Sequence, residues 1–275
     1  MPRRIHLHPG FHKTGTSSIQ HFLWSNRQRI ATRADLRMLR HLAPVTKLCA
    51  AYSRSANPLF VVDMVEALDA AFADPPLCAE ADLLISTEGL AGHLPGWPGV
   101  EDYAAAPVTI GAVVTWAQER FPQAAIDIVL TTRDPGDWLS SAWRHHLLGQ
   151  RLRQDEAAFA EAHRAAADLG AAAADLAGAL APVPVRTLPL ETAREHRLGP
   201  GGALLATFGW TEAEMEGFEP VGHGNRGPRP DLAARLLELN RSDMPDPRLA
   251  AEKAALARAA GLAGWAPSPA GTAGG

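Results

Sequence analysis

The sequence predicts an α/β protein, a three-layer open parallel sheet with helices on both faces. Three observations carry this. Short apolar runs alternate with helical patterns of ten to fifteen residues, as in parallel βαβ units. Ala125-Ile126-Asp127-Ile128-Val129-Leu130-Thr131-Thr132 is the strongest strand signal in the chain. A glycine-bearing loop lies between the first apolar run and the first helical pattern.

In chain order, Ile5-His6-Leu7 is a short strand ended by Pro9-Gly10, and Ile19, Phe22, Leu23 and Ile30 mark a helix after Gly15. Residues 59–73 suit an amphipathic helix and Asp82–Thr87 a buried strand. A helix from Val108 stops at Pro122, strand 125–132 follows, and Gly136–Leu148 is the next helix, with Asp137 as a cap. Residues 155–181 are Ala-rich and helical in propensity, and Val183–Leu188 is a short strand. Residues 222–230 are a loop by composition; helices are expected near 231–241 and 247–263. No repeat or linker divides the chain, so residues 1–264 are expected to form a single domain and 265–275 a frayed tail.

The 275 residues are 47% hydrophobic and 20% charged, enough for a large core and unlike a disordered or fibrous chain. Two cysteines, Cys49 and Cys78, build no disulfide framework, which points to a reducing, cytoplasmic compartment. No apolar stretch is long enough to span a membrane, and the N-terminus lacks the apolar run of a secretory signal. A soluble, unprocessed protein is expected. The net charge of −4 gives no reason to expect nucleic-acid binding. Yet within residues 1–41 eight basic residues face the single acid Asp35, which suggests a confined anion site.

That site is predicted at His8-Pro9-Gly10-Phe11-His12-Lys13-Thr14-Gly15-Thr16-Ser17-Ser18. A helix N-terminus presents unpaired N–H groups and the positive end of the macrodipole, and in an open parallel sheet ligands collect where strands end. In a nucleotide triphosphatase loop, G-x-x-x-x-G-K-[ST], the lysine follows the second glycine; here it stands two residues before Gly15. The chain has only three lysines among its 26 basic residues, so one in this loop is not what its own usage would supply.

The string G-x-x-K-[TS]-G-[TS]-[TS] after a first strand resembles the 5′-phosphosulfate loop of bacterial-type sulfotransferases that use 3′-phosphoadenosine 5′-phosphosulfate (PAPS). The resemblance implies a P-loop NTPase-like fold and PAPS as co-substrate. Lys13 would contact the bridging oxygen and the sulfuryl group, with Thr14, Gly15, Thr16, Ser17 and Ser18 around the 5′-phosphate. Ser18 stands where cytosolic eukaryotic members often carry a tryptophan against adenine. The family's 3′-phosphate motif, a strand-end arginine with a serine eight residues on, is similar to Arg133 and Ser141, with Ser140 a neighbouring competitor. A late basic loop closes over that phosphate in many members, and Arg226 is the candidate here.

Sulfuryl transfer moves negative charge onto the leaving phosphate oxygen, so a compact ammonium there is worth more in the transition state than before it. The acceptor hydroxyl or amine must lose a proton to a base within reach. Glu88, at the end of strand 82–87, is the first choice, with His12 and His93 as alternatives and His8 a packed strand-end histidine. The eleven histidines include no H-E-x-x-H, and no metal site is expected. The expected partner is a small-molecule, glycan or lipid acceptor, whose walls would come from residues 30–60 and 145–180. Two alternatives stand beside this reading. One is a small-molecule kinase using ATP and Mg²⁺, with Asp134 or Asp127 as the metal-associated carboxylate. The other is a non-catalytic nucleotide-binding homologue.

Overall fold

Five short segments, Arg4–His8 (β1), Ala34–Met38 (β2), Asp82–Ser86 (β3), Ala125–Thr132 (β4) and Val185–Pro189 (β5), pair into one all-parallel sheet of order β2-β3-β1-β4-β5. This is a computed structural model; it describes residues 1–73, 81–222 and 227–262. The helices that follow β1 are α1 (Thr16–Ser25) and α2 (Arg27–Ile30), and those after β2 are α3 (Leu39–Ser55) and α4 (Leu59–Ala71). A 3-10 turn, Glu88–Ala91, and α5 (Ala106–Arg120) follow β3. After β4 come α6 (Pro135–Gly149), α7 (Glu156–Ala162) and α8 (Leu169–Ala179). The chain closes with α9 (Leu190–Ala193), α10 (Gly199–Thr207), α11 (Pro230–Arg241) and α12 (Asp246–Ala259). No described helix is long and apolar enough to cross a membrane.

The packing falls into two compact units: Met1–Asp134 with Asp168–Gly224, and Pro135–Ala167 with Asn225–Gly275. The first holds the whole sheet. On one of its faces Leu84, Val129 and Leu188 join Ile19, Phe22 and Leu23 of α1 and Leu204 and Leu205 of α10 in one buried cluster. Residues of the opposite parity, Ile5, Leu7, Leu83, Ile85, Ile128 and Leu130, are equally buried, so both faces are covered, as a parallel sheet requires. Gly201 sets the closeness of α10 to α1, because a Cβ there would lie 2.3 Å from the Phe22 ring.

Several elements depart from the expected pattern for readable reasons. The helix anticipated through Ile30 breaks at Asn26. Its buried side chain donates to Phe22 O and Glu219 O and accepts from the Glu219 N–H, capping α1 instead of continuing it. The Ala-rich stretch 155–181 is cut by two N-caps: Asp155 accepts from the Ala158 N–H and Asp168 from the Ala171 N–H. Asp168 is also where the chain re-enters the first unit. α3 is bent at Leu42, two residues before Pro44, which sits early in the second segment where its missing N–H is least felt.

Within the second unit, the buried Lys253 ammonium donates to Gln150 O at 2.8 Å and Asn240 Oδ1 at 3.0 Å. Burial lowers its pKa to about 8. Asn240 in turn donates to Leu147 O, tying α11 to α6.

Candidate functional site

The register brings the loop after His8, Glu88 and Arg133 to one edge of the sheet. His8 pairs with Ser86 across β1 and β3, so the loop after His8 and the turn at Glu88 leave the sheet side by side. β1 pairs with β4 in parallel with Leu7 opposite Ile128, which carries Arg133 to the level of the same loop.

The loop is held by its own backbone and by each flanking strand. Gly10 has φ +52° and packs so closely that a Cβ would lie 2.7 Å from Thr16 Cγ2. Gly15, at φ +89°, caps α1 without a side chain, and a Cβ there would meet Leu190 at 2.5 Å. Ser18 and Ile19 both donate to Gly15 O, so the N–H groups of Thr16 and Ser17 precede the first intrahelical bond. No acidic residue occupies that first turn. Thr14 donates to Phe11 O at 2.6 Å and receives the Thr131 hydroxyl at 2.5 Å, pinning the loop to β4. Thr14 is thereby buried, which gives it a structural part beside the cradle.

Lys13 itself adopts φ +67°, in the left-handed region, at a cost of about 1–2 kcal/mol for a residue with a Cβ. Its carbonyl accepts from Arg133 Nη1 at 3.1 Å. The two residues assigned to opposite ends of a nucleotide therefore meet directly, the guanidinium bracing the backbone that presents the lysine.

Glu88 is half-buried and accepts from the Thr16 hydroxyl through Oε2. His12 lies beside it. Tyr103, in the segment between the 3-10 turn and α5, accepts from the His12 N–H at 3.0 Å. Its oxygen is also 3.4 Å from His12 Nδ1, and its ring packs on Phe11 at 4.5 Å. Burial, opposed by Glu88 and reinforced by Lys13, lowers the His12 pKa, so the ring is neutral with Nδ1 facing the tyrosine hydroxyl. Burial holds the Tyr103 hydroxyl well above its ordinary value, with Glu88 adding to the rise. Burial brings His93 down to about 4. His8 is buried against Ser86 Oγ at 2.8 Å and is lowered to about 3, a neutral packing histidine. Tyr103 was absent from the sequence expectations, since nothing in Glu101-Asp102-Tyr103 marks it; only the fold carries it to His12.

Compared with known proteins, the chain matches no family model and no curated sequence. The remaining expected residues divide by location. Ser141 is half-buried on α6, in the second unit. Its competitor Ser140 already accepts from Arg144. Arg226 lies outside the described residues, as does Cys78. Cys49 is a buried free thiol, pushed by burial up to about 12. Asp127, one carboxylate of the kinase alternative, sits in mid-β4 bonded to His6 Nδ1 at 2.6 Å and to Arg186, below the loop edge. Among the described residues no three His, Cys, Asp or Glu side chains converge as metal ligands.

Proposed function

We propose that the protein transfers a sulfuryl group from PAPS to a hydroxyl or amine of a small-molecule, carbohydrate or lipid acceptor, in a cytoplasmic setting. The observation that carries the reading is the arrangement around Lys13. A strained lysine stands beside the glycine-capped N-terminus of α1, its carbonyl braced by Arg133 and a carboxylate bonded to Thr16 alongside. Cradle N–H groups suit the 5′-phosphate, and the ammonium suits the oxygen on which charge develops.

In the proposed step, Glu88 takes the proton of the acceptor's hydroxyl or amine while the acceptor oxygen or nitrogen attacks sulfur in line. The bond from sulfur to the phosphate oxygen breaks, and adenosine 3′,5′-bisphosphate leaves with the electron pair. The neutral His12, held through Tyr103, lines the acceptor side without competing for Lys13's charge. Arg133, whose guanidinium reaches the loop, is assigned to the 3′-phosphate.

One observation favours a second reading. A carboxylate bonded to the loop hydroxyl after Gly15 is the pair that holds Mg²⁺ in an ATP-using loop, and Glu88 with Thr16 fills that part better than Asp127 or Asp134. The deciding experiment measures transfer from radiolabelled PAPS and from ATP across an acceptor panel, with and without Mg²⁺. Sulfuryl transfer that persists without Mg²⁺ is expected. Phosphoryl transfer from ATP that needs the metal, with none from PAPS, replaces the first reading by the second. Binding of adenosine 3′,5′-bisphosphate with no turnover on any acceptor overturns both.

A further inference from the structure

A cleft of about 290 Å³ opens along the free edge of β2, within the first unit and away from the loop's cradle. Arg27, Arg37 and Arg40 line it together with Trp24, His41 and a single carboxylate, Asp35. The guanidiniums of Arg27 and Arg40 stack on the Trp24 indole, with Cζ 4.2 and 3.7 Å from the ring centroid. Stacking fixes the plane of each fork; Arg27 Nη1 also donates to Trp24 O at 2.9 Å, and the N–H groups not so engaged can bond an anion at little further cost in rotamer entropy. Arg37 is 6% exposed, its guanidinium 5.6 Å from the Phe72 ring.

The backbone adds polar groups to the same rim. Asp82 N donates to Arg33 O, so Arg33 and its alternates Asp35 and Arg37 face β3, while Leu36 and Met38 turn their backbone groups to the open edge. The Met38 N–H is met there by His41 Nδ1 at 3.0 Å, and Arg40 Nε lies 3.2 Å from His41 Nε2. A neutral imidazole accepts at one nitrogen only. The ring therefore satisfies only one of those two donors. Burial, then the charges of Arg40 and Arg37, lowers the His41 pKa, so the ring feels the positive field of this rim.

The cleft's position relates it to the loop. Arg37 pairs with Ile85, three residues before Glu88, which puts the two Cα atoms about 11 Å apart at ordinary strand spacing. α3 runs from Arg40 and His41 to Thr46, whose side chain is 2.6 Å from where a Cβ on Gly89 would stand. We infer that this cleft binds an oxyanion, the carboxylate or sulfate ester of an acceptor whose reacting hydroxyl lies at Glu88. The occupant's identity as acceptor rests on the sulfotransferase reading; the anion site itself does not.

The test follows the His41 ring by NMR in the full chain while sodium sulfate, sodium glucuronate or uncharged methyl glucoside is added. Both anions should raise the His41 titration midpoint by about one unit, and the glucoside should leave it unchanged. Arg27 and Arg40 are exposed, so the double variant Arg27→Gln/Arg40→Gln keeps the fold, and it should weaken either anion at least tenfold. Lys13→Ala should bind both anions as the parent does. A midpoint that neither anion moves, or equal binding by the double variant, overturns the site. Where sulfuryl transfer is measurable, the double variant should lower kcat/KM for a glucuronate-bearing acceptor and not for its neutral counterpart; an equal effect on both overturns the acceptor assignment. Anion binding at His41 in a chain that shows no sulfuryl transfer would sink the sulfotransferase reading and leave the site standing.

Discussion

At the N-terminal edge of the sheet, His6, Asp82, Asp127, Arg33 and Arg186 form a chain of ion pairs and hydrogen bonds in which each carboxylate is answered by a cation or an imidazole. At the C-terminal edge, Glu88 is bonded by a hydroxyl, and burial strips His8, His12 and His93 of their protons. The same strands run through both. Paired charges at one end stabilise the sheet and are spent doing so, whereas at the other end the titratable groups perturb one another across a loop mouth. Function is expected at the second edge, because perturbed titratable groups gathered at a loop mouth mark a site where chemistry can be tuned.

Four measurements would break or sharpen that contrast. Glu88→Gln should lower kcat by about 10²–10⁴-fold while leaving adenosine 3′,5′-bisphosphate binding near the parent's, as steady-state kinetics and calorimetry would show. A parental rate would remove Glu88 from the chemistry. Lys13→Ala should cost about 10²–10³-fold in kcat, the loss of one charge-stabilising donor, measured with radiolabelled PAPS at saturation. At the other edge, Asp127→Asn should lower stability by about 1–3 kcal/mol in urea denaturation, by unpairing His6 and Arg186, with kcat per folded molecule unchanged. An activity loss matching that of Glu88→Gln would erase the distinction between the edges.

The smallest effect concerns acid. His8 and His93 titrate near 3 and 4 when folded, below the ordinary 6.5 of the unfolded chain. Between those values the unfolded state binds more protons, so stability is full above about 6.5 and falls as pH drops toward 4. His93→Gln should flatten part of that slope in urea midpoints taken across the range; an unchanged slope would mean His93 is not held neutral.

Much of the loop edge was legible in the sequence because its constraints are local. Gly10 and Gly15 are where positive φ and close approach demand glycine, and a strand-loop-helix order needs only apolar periodicity. Strand 125–132 is buried continuously from Ile128 to Thr131 and reads at once. β2 did not, because Asp35 and Arg37 interrupt a five-residue edge strand that has no second neighbour to demand apolar side chains. α3 was hidden by Pro44, and the break at Asp168 by the alanines around it, although an aspartate three residues before Ala171 is itself a cap signal. Tyr103 and the Arg133 brace on Lys13 depend on segments 91 and 120 residues apart, which no local pattern reports.

The left-handed backbone at residue 13 has an implication for anyone engineering this chain. Glycine would sit there with less strain, so a library selected for heat tolerance alone should drift toward Lys13→Gly and yield sturdier proteins that have lost their ammonium. Durability and chemistry pull this one position in opposite directions, and a screen that scores only the first will discard the second.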